Sequence, residues 1–138
     1  MASTNKIFID TSFFNALVDK TDDFHKDAVH IWSKLKDENA DLITSNFILD
    51  ESFTLIRVRC GIEKALELRF ILSESGAEIK ILRTLAADEA NAWNWFVKNW
   101  SKLSFTDCVS FALMKRLNLT RVASFDTDFK RAGFILAK

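Results

Sequence analysis

The sequence predicts a three-layer α/β/α fold built on a mainly parallel, five-stranded sheet. Short apolar segments typical of buried strands alternate along the chain with longer segments whose apolar residues recur at helical spacing. Helical connections of that length join strands in parallel and cover both faces of the sheet. The 138 residues are 49% hydrophobic, which suits a single core, so we expect one domain over residues 1–138.

The predicted elements follow one another closely, because the chain has three glycines and no proline. Strands are predicted at 6–10, 41–45, 77–84, 121–125 and 133–137. Helices are predicted over 13–39 with a break at 21–23, and then at 46–60, 62–75, 85–100 and 104–118. Gly61 separates the two helices in the middle of the chain, and Gly76 ends the second of them.

Two of the predicted strands end on an aspartate, Asp10 after the first strand and Asp126 after the fourth. In parallel α/β sheets, ligands bind beyond the carboxyl ends of the strands, where the strand order reverses. If strands one and four are neighbours, Asp10 and Asp126 therefore meet in that crevice. Taken singly, each aspartate could instead cap the helix or turn that follows it, and the same holds for Asp128.

Two further acids stand on helix faces that are otherwise apolar. Glu51 lies between Phe47 and Leu55 on one face, and Asp107 lies on the apolar face of a later helix. A charge on a core face is costly unless it is paired or bound to a ligand. Two structural alternatives stay open, because Asp107 also fits a capping box with Ser104 and Glu51 could be a chance residue at the core edge.

The order of these acids resembles a known family. A strand-end Asp, a helix Glu, a helix N-terminal Asp and the segment SFDTDF resemble the PIN domain, and LSFTDCVSFALMKRLNLTRVASFDTDFKRAGF is similar to the C-terminal half of VapC-type toxin ribonucleases. The likeness extends from IFIDTSFF to AGFILA. It implies four metal-binding acids, which are Asp10, Glu51, Asp107 and Asp126. It also implies a supporting role for Asp128; Ser124 matches the small hydroxyl residue before the last acid, and Ser12 stands where the family often has Asn.

A cluster of four carboxylates has a definite chemistry. Like charges repel, so the cluster must either hold protons or bind a cation. A set of oxygen ligands without Cys or His selects a hard metal, Mg²⁺ or Mn²⁺, which can activate water and neutralise the charge of a phosphate. The predicted reaction is the metal-dependent hydrolysis of an RNA phosphodiester bond. The resemblance further implies a homodimeric toxin whose cognate antitoxin covers the acids.

Basic residues near the acids are candidates for holding RNA phosphates. They are Arg57, Arg59, Lys115, Arg116, Lys130 and Arg131. A charge-rich helix face is otherwise simply solvated, and that alternative stays open. One face of the helix at 85–100 is predicted to pack in the core rather than to stack on bases. This face carries Trp93, Phe96, Val97 and Trp100, whereas Trp95 points elsewhere.

Composition and termini narrow the remaining possibilities. The formal net charge is 0, from 19 basic and 19 acidic residues, so no global field indicates a polyanionic partner. The N-terminus lacks the apolar stretch of a signal peptide, and no segment is apolar over the length of a membrane span. We therefore expect a cytoplasmic protein without a membrane partner, in which Cys60 and Cys108 are free, buried thiols.

Two other classes of function compete with a nuclease. A PIN-like interaction module would keep the fold and a partner surface without cleaving RNA, and the complete set of acids argues against it. A Mg²⁺-binding receiver domain would need an acid after the third strand, where IKILRTLA has none. A receiver domain would also leave Glu51 and Asp107 unexplained.

Overall fold

The predicted fold is confirmed in a computed structural model, which describes residues 5–73 and 78–138. Within these residues, five strands form one sheet in the order β3-β2-β1-β4-β5, and every neighbouring pair is parallel. The strands are β1 (Lys6–Ile9), β2 (Asp41–Ser45), β3 (Ile79–Leu82), β4 (Arg121–Ala123) and β5 (Ile135–Leu136). Strand β1 lies in the middle, between β2 and β4.

The helices fall where the apolar periodicity predicts them, with one addition. They are α1 (Thr11–Val18), α2 (His25–Asp37), α3 (Asn46–Cys60), α4 (Ile62–Ser73), α5 (Ala86–Phe96), α6 (Phe105–Arg116) and α7 (Asp128–Arg131). The sequence predicts only a turn at α7, because one turn of helix is too short to show a period. The expected role of Gly76 lies outside the described residues.

The strand order places the carboxyl ends of β1 and β4 side by side. Ile7, Phe8 and Ile9 are fully buried, as expected of a central parallel strand that is covered on both faces. Ile9 pairs with Ala123, and the next amide along β1, that of Asp10, donates to the Ala123 carbonyl at 3.1 Å. The chain runs outward from β1 to β3 and then returns to the other side of β1, so this is the point where strand order reverses.

Of the predicted core face of the helix at 85–100, Trp100 packs partly against the core, whereas Trp93, Phe96 and Val97 are exposed. Trp93 and Val97 are 53% and 74% exposed, whereas Trp95 packs against the core with its ring centroid 5.7 Å from that of Phe111. Apolar residues occur on every side of α5, so the spacing alone does not select the buried face. The helix packs through Asp88, Ala92 and Trp95, one stripe of helical spacing.

The structure also bears on the two cysteines and on membrane spans. Cys60 and Cys108 are both free, as predicted, although only Cys108 is buried. Within the described part of the chain, none of the helices has the length and apolar character needed to cross a bilayer.

Candidate active site

The four predicted acids line one pocket at the carboxyl edge of the sheet. Asp10 follows β1, Glu51 lies in the second turn of α3, Asp107 in the first turn of α6, and Asp126 follows β4. The pocket has a volume of about 490 Å³. Residues up to 116 positions apart, from Asp10 to Asp126, therefore meet in one place, as the fold and the strand-end positions predict.

Asp10 is held in place by two serines. Its Oδ2 accepts hydrogen bonds from the Ser12 hydroxyl at 2.8 Å, the Ser124 hydroxyl at 2.9 Å and the Ser12 amide at 3.3 Å. Asp10 therefore caps α1, as the cap interpretation predicts, yet only one carboxylate oxygen is used. Its Oδ1 is buried without a hydrogen-bond partner, which is costly unless a ligand supplies one.

The same serines join the segment after β4 to the start of α1. The Ser12 hydroxyl accepts from the Phe125 amide at 2.9 Å, and the Ser124 hydroxyl accepts from the Asp126 amide at 3.0 Å. Each serine thus bonds both to Asp10 and to the backbone that leads into Asp126. The positions of these two acids relative to each other are therefore fixed by Ser12 and Ser124.

Asp107 combines a structural role with a place in the pocket. The Ser104 hydroxyl accepts from the Asp107 amide at 3.0 Å, and the Ser104 amide donates to Asp107 Oδ2 at 3.4 Å, which completes the capping box. A long bond to a single oxygen does not satisfy a carboxylate that is only 6% exposed. Beside it, the Ser52 hydroxyl donates to Thr11 Oγ1 at 3.2 Å and ties the helix of Glu51 to the start of α1.

Asp128 lies beside the pocket rather than on its wall. One carboxylate oxygen from each of Asp107, Asp126 and Asp128 lies within 4.8 Å of the other two, a spacing that suits a shared cation. The Asp128 amide also donates to Asp126 Oδ1 at 2.9 Å. The side chain of Asp128 faces an adjoining recess, which is also lined by Lys130 and Arg131.

Burial and mutual repulsion raise the pKa of several of these carboxyl groups. Burial raises the pKa of Asp107 to about 8, and the charges of Asp10, Asp126 and Glu51 add to this effect. Burial also raises the pKa of Asp10 to about 6, although hydrogen bonds from Ser12 and Ser124 partly oppose it. The pKa of Asp128 is raised by burial and by Asp126. In the absence of a cation, Asp107 therefore favours holding its proton at neutral pH.

Of the six basic residues predicted to hold RNA, the structure brings Arg59 to the pocket wall. Arg57 lies exposed in the last turn of α3, and Lys115 lies over the ring of Trp95 at 5.6 Å. Lys130 and Arg131 line the recess beside Asp128, where Arg131 also stacks over Trp100 at 5.0 Å. None of these four residues lines the acid pocket.

Arg116 does not line the acid pocket and instead forms an ion pair with Asp88. Its Nε and Nη2 donate to the two carboxylate oxygens of Asp88 at 2.8 and 2.9 Å. Asp88 is 1% exposed, and burial alone would raise the pKa of its carboxyl group. The hydrogen bonds from Arg116 and from the Leu85 amide nevertheless lower that pKa below its ordinary value. Arg116 ends α6, at the opposite end of that helix from Asp107.

The pocket also contains residues for which the sequence predicts no functional role. These are Thr11, Asn15, Asp22, Phe24, Leu55, Lys102, Ser104 and Phe125. The backbone of Lys102 has a positive φ of 63°, a conformation that residues other than glycine rarely adopt. Only the fold brings Lys102 to the acids, since it lies in an irregular loop without periodicity.

The chemical character of the pocket follows from its charges. It is lined by five carboxylates, those of Asp10, Asp22, Glu51, Asp107 and Asp126, against the two cations Arg59 and Lys102. Asp22 is occupied by local hydrogen bonds, whereas Asp10 offers a buried oxygen without a partner. An arrangement of this kind suits a hard divalent cation, which prefers carboxylate oxygens.

Comparison with known proteins gives consistent matches. Residues 7–135 match the family model of the PIN domain. The chain is 34% identical to the 23S rRNA-specific endonuclease VapC20 of two Mycobacterium tuberculosis strains. This match extends over 130 residues, which are 94% of this chain and 95% of the relative. The crystal structure of M. tuberculosis VapC20, described as a sarcin–ricin loop cleaving toxin, matches with a TM-score of 0.80 over 94% of this chain and 96% of that one, again at 34% identity. FitAcB from Neisseria gonorrhoeae shares the fold, with a TM-score of 0.65 at 20% identity over 96% of each chain.

Proposed function

This chain belongs to the PIN domain family, and from that premise we propose that it is a metal-dependent endoribonuclease, the toxin of a toxin–antitoxin pair. The observation that carries the proposal is the meeting of Asp10, Glu51, Asp107 and Asp126 in one pocket. The relative that is 34% identical over almost the whole chain is itself an endonuclease specific for 23S rRNA. The first substrate to test is therefore 23S rRNA and, within it, the sarcin–ricin loop.

The residues present fit a Mg²⁺ or Mn²⁺ ion. Asp10, Glu51, Asp107 and Asp126 would hold it, directly or through water, with Asp128 in support. The fit rests on three features: the all-oxygen donor set, the unpartnered Oδ1 of Asp10 and the raised pKa of Asp107. A bound cation would supply a partner to Oδ1 and would offset the repulsion among the carboxylates. When bound, such an ion supplies an acidified water molecule and neutralises charge on the phosphate.

The chain's own residues position the reactants. Ser12 and Ser124 fix the orientation of Asp10, since both hydroxyls donate to the same carboxylate oxygen. Arg59 and Lys102 are the cations on the pocket wall. We propose that they bind the RNA phosphates next to the bond that is cut. Lys130 and Arg131 lie in the adjoining recess, where they can bind the strand beyond the pocket.

Exposed apolar surfaces support the proposed protein partners. Ile62, Leu66 and Phe70 form an exposed stripe on α4, with the i, i+4, i+8 spacing that suits an amphipathic antitoxin segment. Trp93 and Phe96 form a second exposed patch, with edge-to-face rings 5.2 Å apart, which suits the contact between two copies of the chain. We expect the toxin to act in the cytoplasm as a homodimer of single-domain chains over residues 1–138.

The function is tested by RNA cleavage with defined metal content. Wild type and Asp126→Asn are incubated with 23S rRNA and with a stem-loop oligoribonucleotide of the sarcin–ricin loop, in EDTA, Mg²⁺ or Mn²⁺. We expect cleavage by wild type with a divalent ion and its loss in EDTA or in the variant. If wild type binds these RNAs but leaves them uncut under all conditions, the chain is a silent PIN-like interaction module instead.

A further inference from the structure

A column of three stacked phenylalanine rings runs from the core to the mouth of the acid pocket. Phe13 is fully buried, and its ring stacks on Phe125 with centroids 5.9 Å apart and planes 12° apart. Phe125 stacks in turn on Phe24, with centroids 4.7 Å apart and planes 5° apart. Phe24 is 46% exposed. The column therefore ends in solvent on an aromatic ring whose inner face is already covered.

Phe24 occupies a position that local structure does not favour for an aromatic residue. It is the N-cap of α2, where Ser, Thr, Asp or Asn would bond a free amide, and its side chain makes no capping hydrogen bond. Phenylalanine also gains little from burial when it is half exposed. A residue that breaks a local rule beside a functional site is a candidate for a role in function.

The loop that carries Phe24 is held firmly. Asp22 Oδ1 accepts from the Phe24 amide at 2.8 Å, and Asp22 Oδ2 accepts from Asn15 Nδ2 at 3.0 Å. Asn15 is itself buried within α1. His25, the residue after Phe24, forms a hydrogen bond through Nδ1 with the Ala16 carbonyl at 2.8 Å. The ring is therefore presented in a fixed position, which lowers the entropic cost of binding a ligand.

The position of the ring links it to the proposed reaction. Phe24 and Phe125 line the pocket that contains the acids, and Phe125 directly precedes Asp126. The same two rings also line a second cavity of about 440 Å³, whose other walls include Ile31 and Leu136. Phe24 therefore borders both the acid pocket and an apolar recess.

We propose that Phe24 stacks on an unpaired base of the RNA strand, next to the phosphate at which the strand is cut. This inference rests on the proposed ribonuclease function. Proteins that bind unpaired RNA stack its bases on aromatic side chains, and such stacking accepts any base because each has a π face. The parallel geometry of Phe24 on Phe125 is already that of a stack, and the base adds a fourth layer to it.

The test is a cycle of protein and RNA changes. Metal-dependent cleavage is measured on an oligoribonucleotide that contains the site at which wild type cuts ribosomal RNA, and on versions with one abasic residue at each position within two nucleotides of the cut. At one position, we expect the abasic change to slow wild type about 5- to 150-fold. Phe24→Ala should slow cleavage of intact RNA by a similar factor. On the RNA with the abasic residue at that position, wild type and Phe24→Ala should cleave at nearly the same rate.

Three further variants separate stacking from other roles. Phe24→Trp should retain the rate, whereas Phe24→Leu should be as slow as Phe24→Ala, because it keeps apolar bulk and loses the aromatic face. Val29→Ala removes an apolar side chain that is 46% exposed, as Phe24 is, and lies on α2 itself, so this variant should cleave at the wild-type rate. The rise in melting temperature with Mn²⁺ should be equal in all four variants, which shows that the acids are undisturbed.

Specific outcomes would overturn the inference. Stacking on Phe24 would be excluded if Phe24→Ala and Phe24→Leu cleaved at the wild-type rate. It would also be excluded if the loss of rate caused by Phe24→Ala multiplied the loss caused by the abasic residue at every position. Neither result would contradict the proposed nuclease function. Slow cleavage by Phe24→Leu together with a reduced response to Mn²⁺ would assign the ring a structural role. A wild-type protein that cuts no RNA contradicts the proposed function itself, which is a different result.

Discussion

Replacing Asp107 with Asn should raise the free energy of unfolding of the metal-free protein at pH 7 by about 1–3 kcal/mol. Asp107 has a pKa of about 8 in the folded protein and an ordinary value of 3.8 when unfolded. At pH 7 the carboxyl group of Asp107 stays protonated in the folded protein, whereas in the unfolded chain it releases its proton. This difference lowers the free energy of unfolding by at most about 4 kcal/mol. The gain is smaller than that ceiling, because the asparagine amide must also be buried.

The pH dependence has a definite sign. The folded state binds more protons than the unfolded state between pH 4 and pH 8, since the pKa of Asp107 is raised from 3.8 to about 8. Asp107 alone therefore makes the stability of the metal-free wild type fall as pH rises through this window, by up to about 1.4 kcal/mol per pH unit. In Asp107→Asn this contribution is absent and the slope should be shallower, although the raised pKa values of Asp10 and Asp128 still contribute to it.

The assay is urea unfolding in EDTA at several pH values from 5 to 8.5, repeated with excess Mn²⁺. Mn²⁺ should stabilise wild type strongly and the variant little. Asp37→Asn is the control, because Asp37 is exposed near the end of α2 and its replacement should change stability by less than about 0.5 kcal/mol. An Asp107→Asn protein that is less stable than wild type in EDTA, or that keeps the full pH slope, would refute this reasoning and leave the capping box as the role of Asp107.

Three further changes test separate parts of the structure. Arg116→Met should destabilise the protein by about 2–4 kcal/mol at pH 7, because it leaves the Asp88 carboxylate buried without its partner; unfolding should show this loss with the response to Mn²⁺ unchanged. Ser12→Ala removes bonds to Asp10 and to the Phe125 amide, so Mn²⁺ titration should show an affinity about 10-fold weaker. Lys102→Ala should weaken RNA binding and lower the slope of log affinity against log salt by about 1, as filter binding at several salt concentrations can measure.

The parts of the site that the sequence predicts are those with a positional signal. Asp10 and Asp126 end apolar strands, and Glu51 and Asp107 interrupt apolar helix faces, so each can be recognised one element at a time. Parallel strand order then requires that the strand-end acids meet. The double role of Asp107, as a capping residue and as a member of the cluster, shows that the structural and functional interpretations of one residue need not exclude each other.

The parts that the sequence does not predict depend on contacts between distant segments. Arg116 follows Asp107 in the same helix, yet its partner Asp88 comes from α5, and no local pattern joins the two. The buried face of α5 is set by its packing against α6, because apolar residues surround that helix. Lys102 lies in an irregular loop and Phe24 at the start of α2, so only their position in the fold relates them to the acids.

The proposed metal centre is tested most directly by the anomalous diffraction of crystals of this protein that have been soaked in Mn²⁺. We expect an anomalous peak in the pocket formed by Asp10, Glu51, Asp107 and Asp126, with carboxylate oxygens from at least two of them in the coordination shell. The same soak of Asp126→Asn crystals should give a weaker peak or none. An empty pocket in wild-type crystals at a saturating Mn²⁺ concentration, or a peak that is unchanged in the variant, would contradict the claim that these carboxylates form a metal centre.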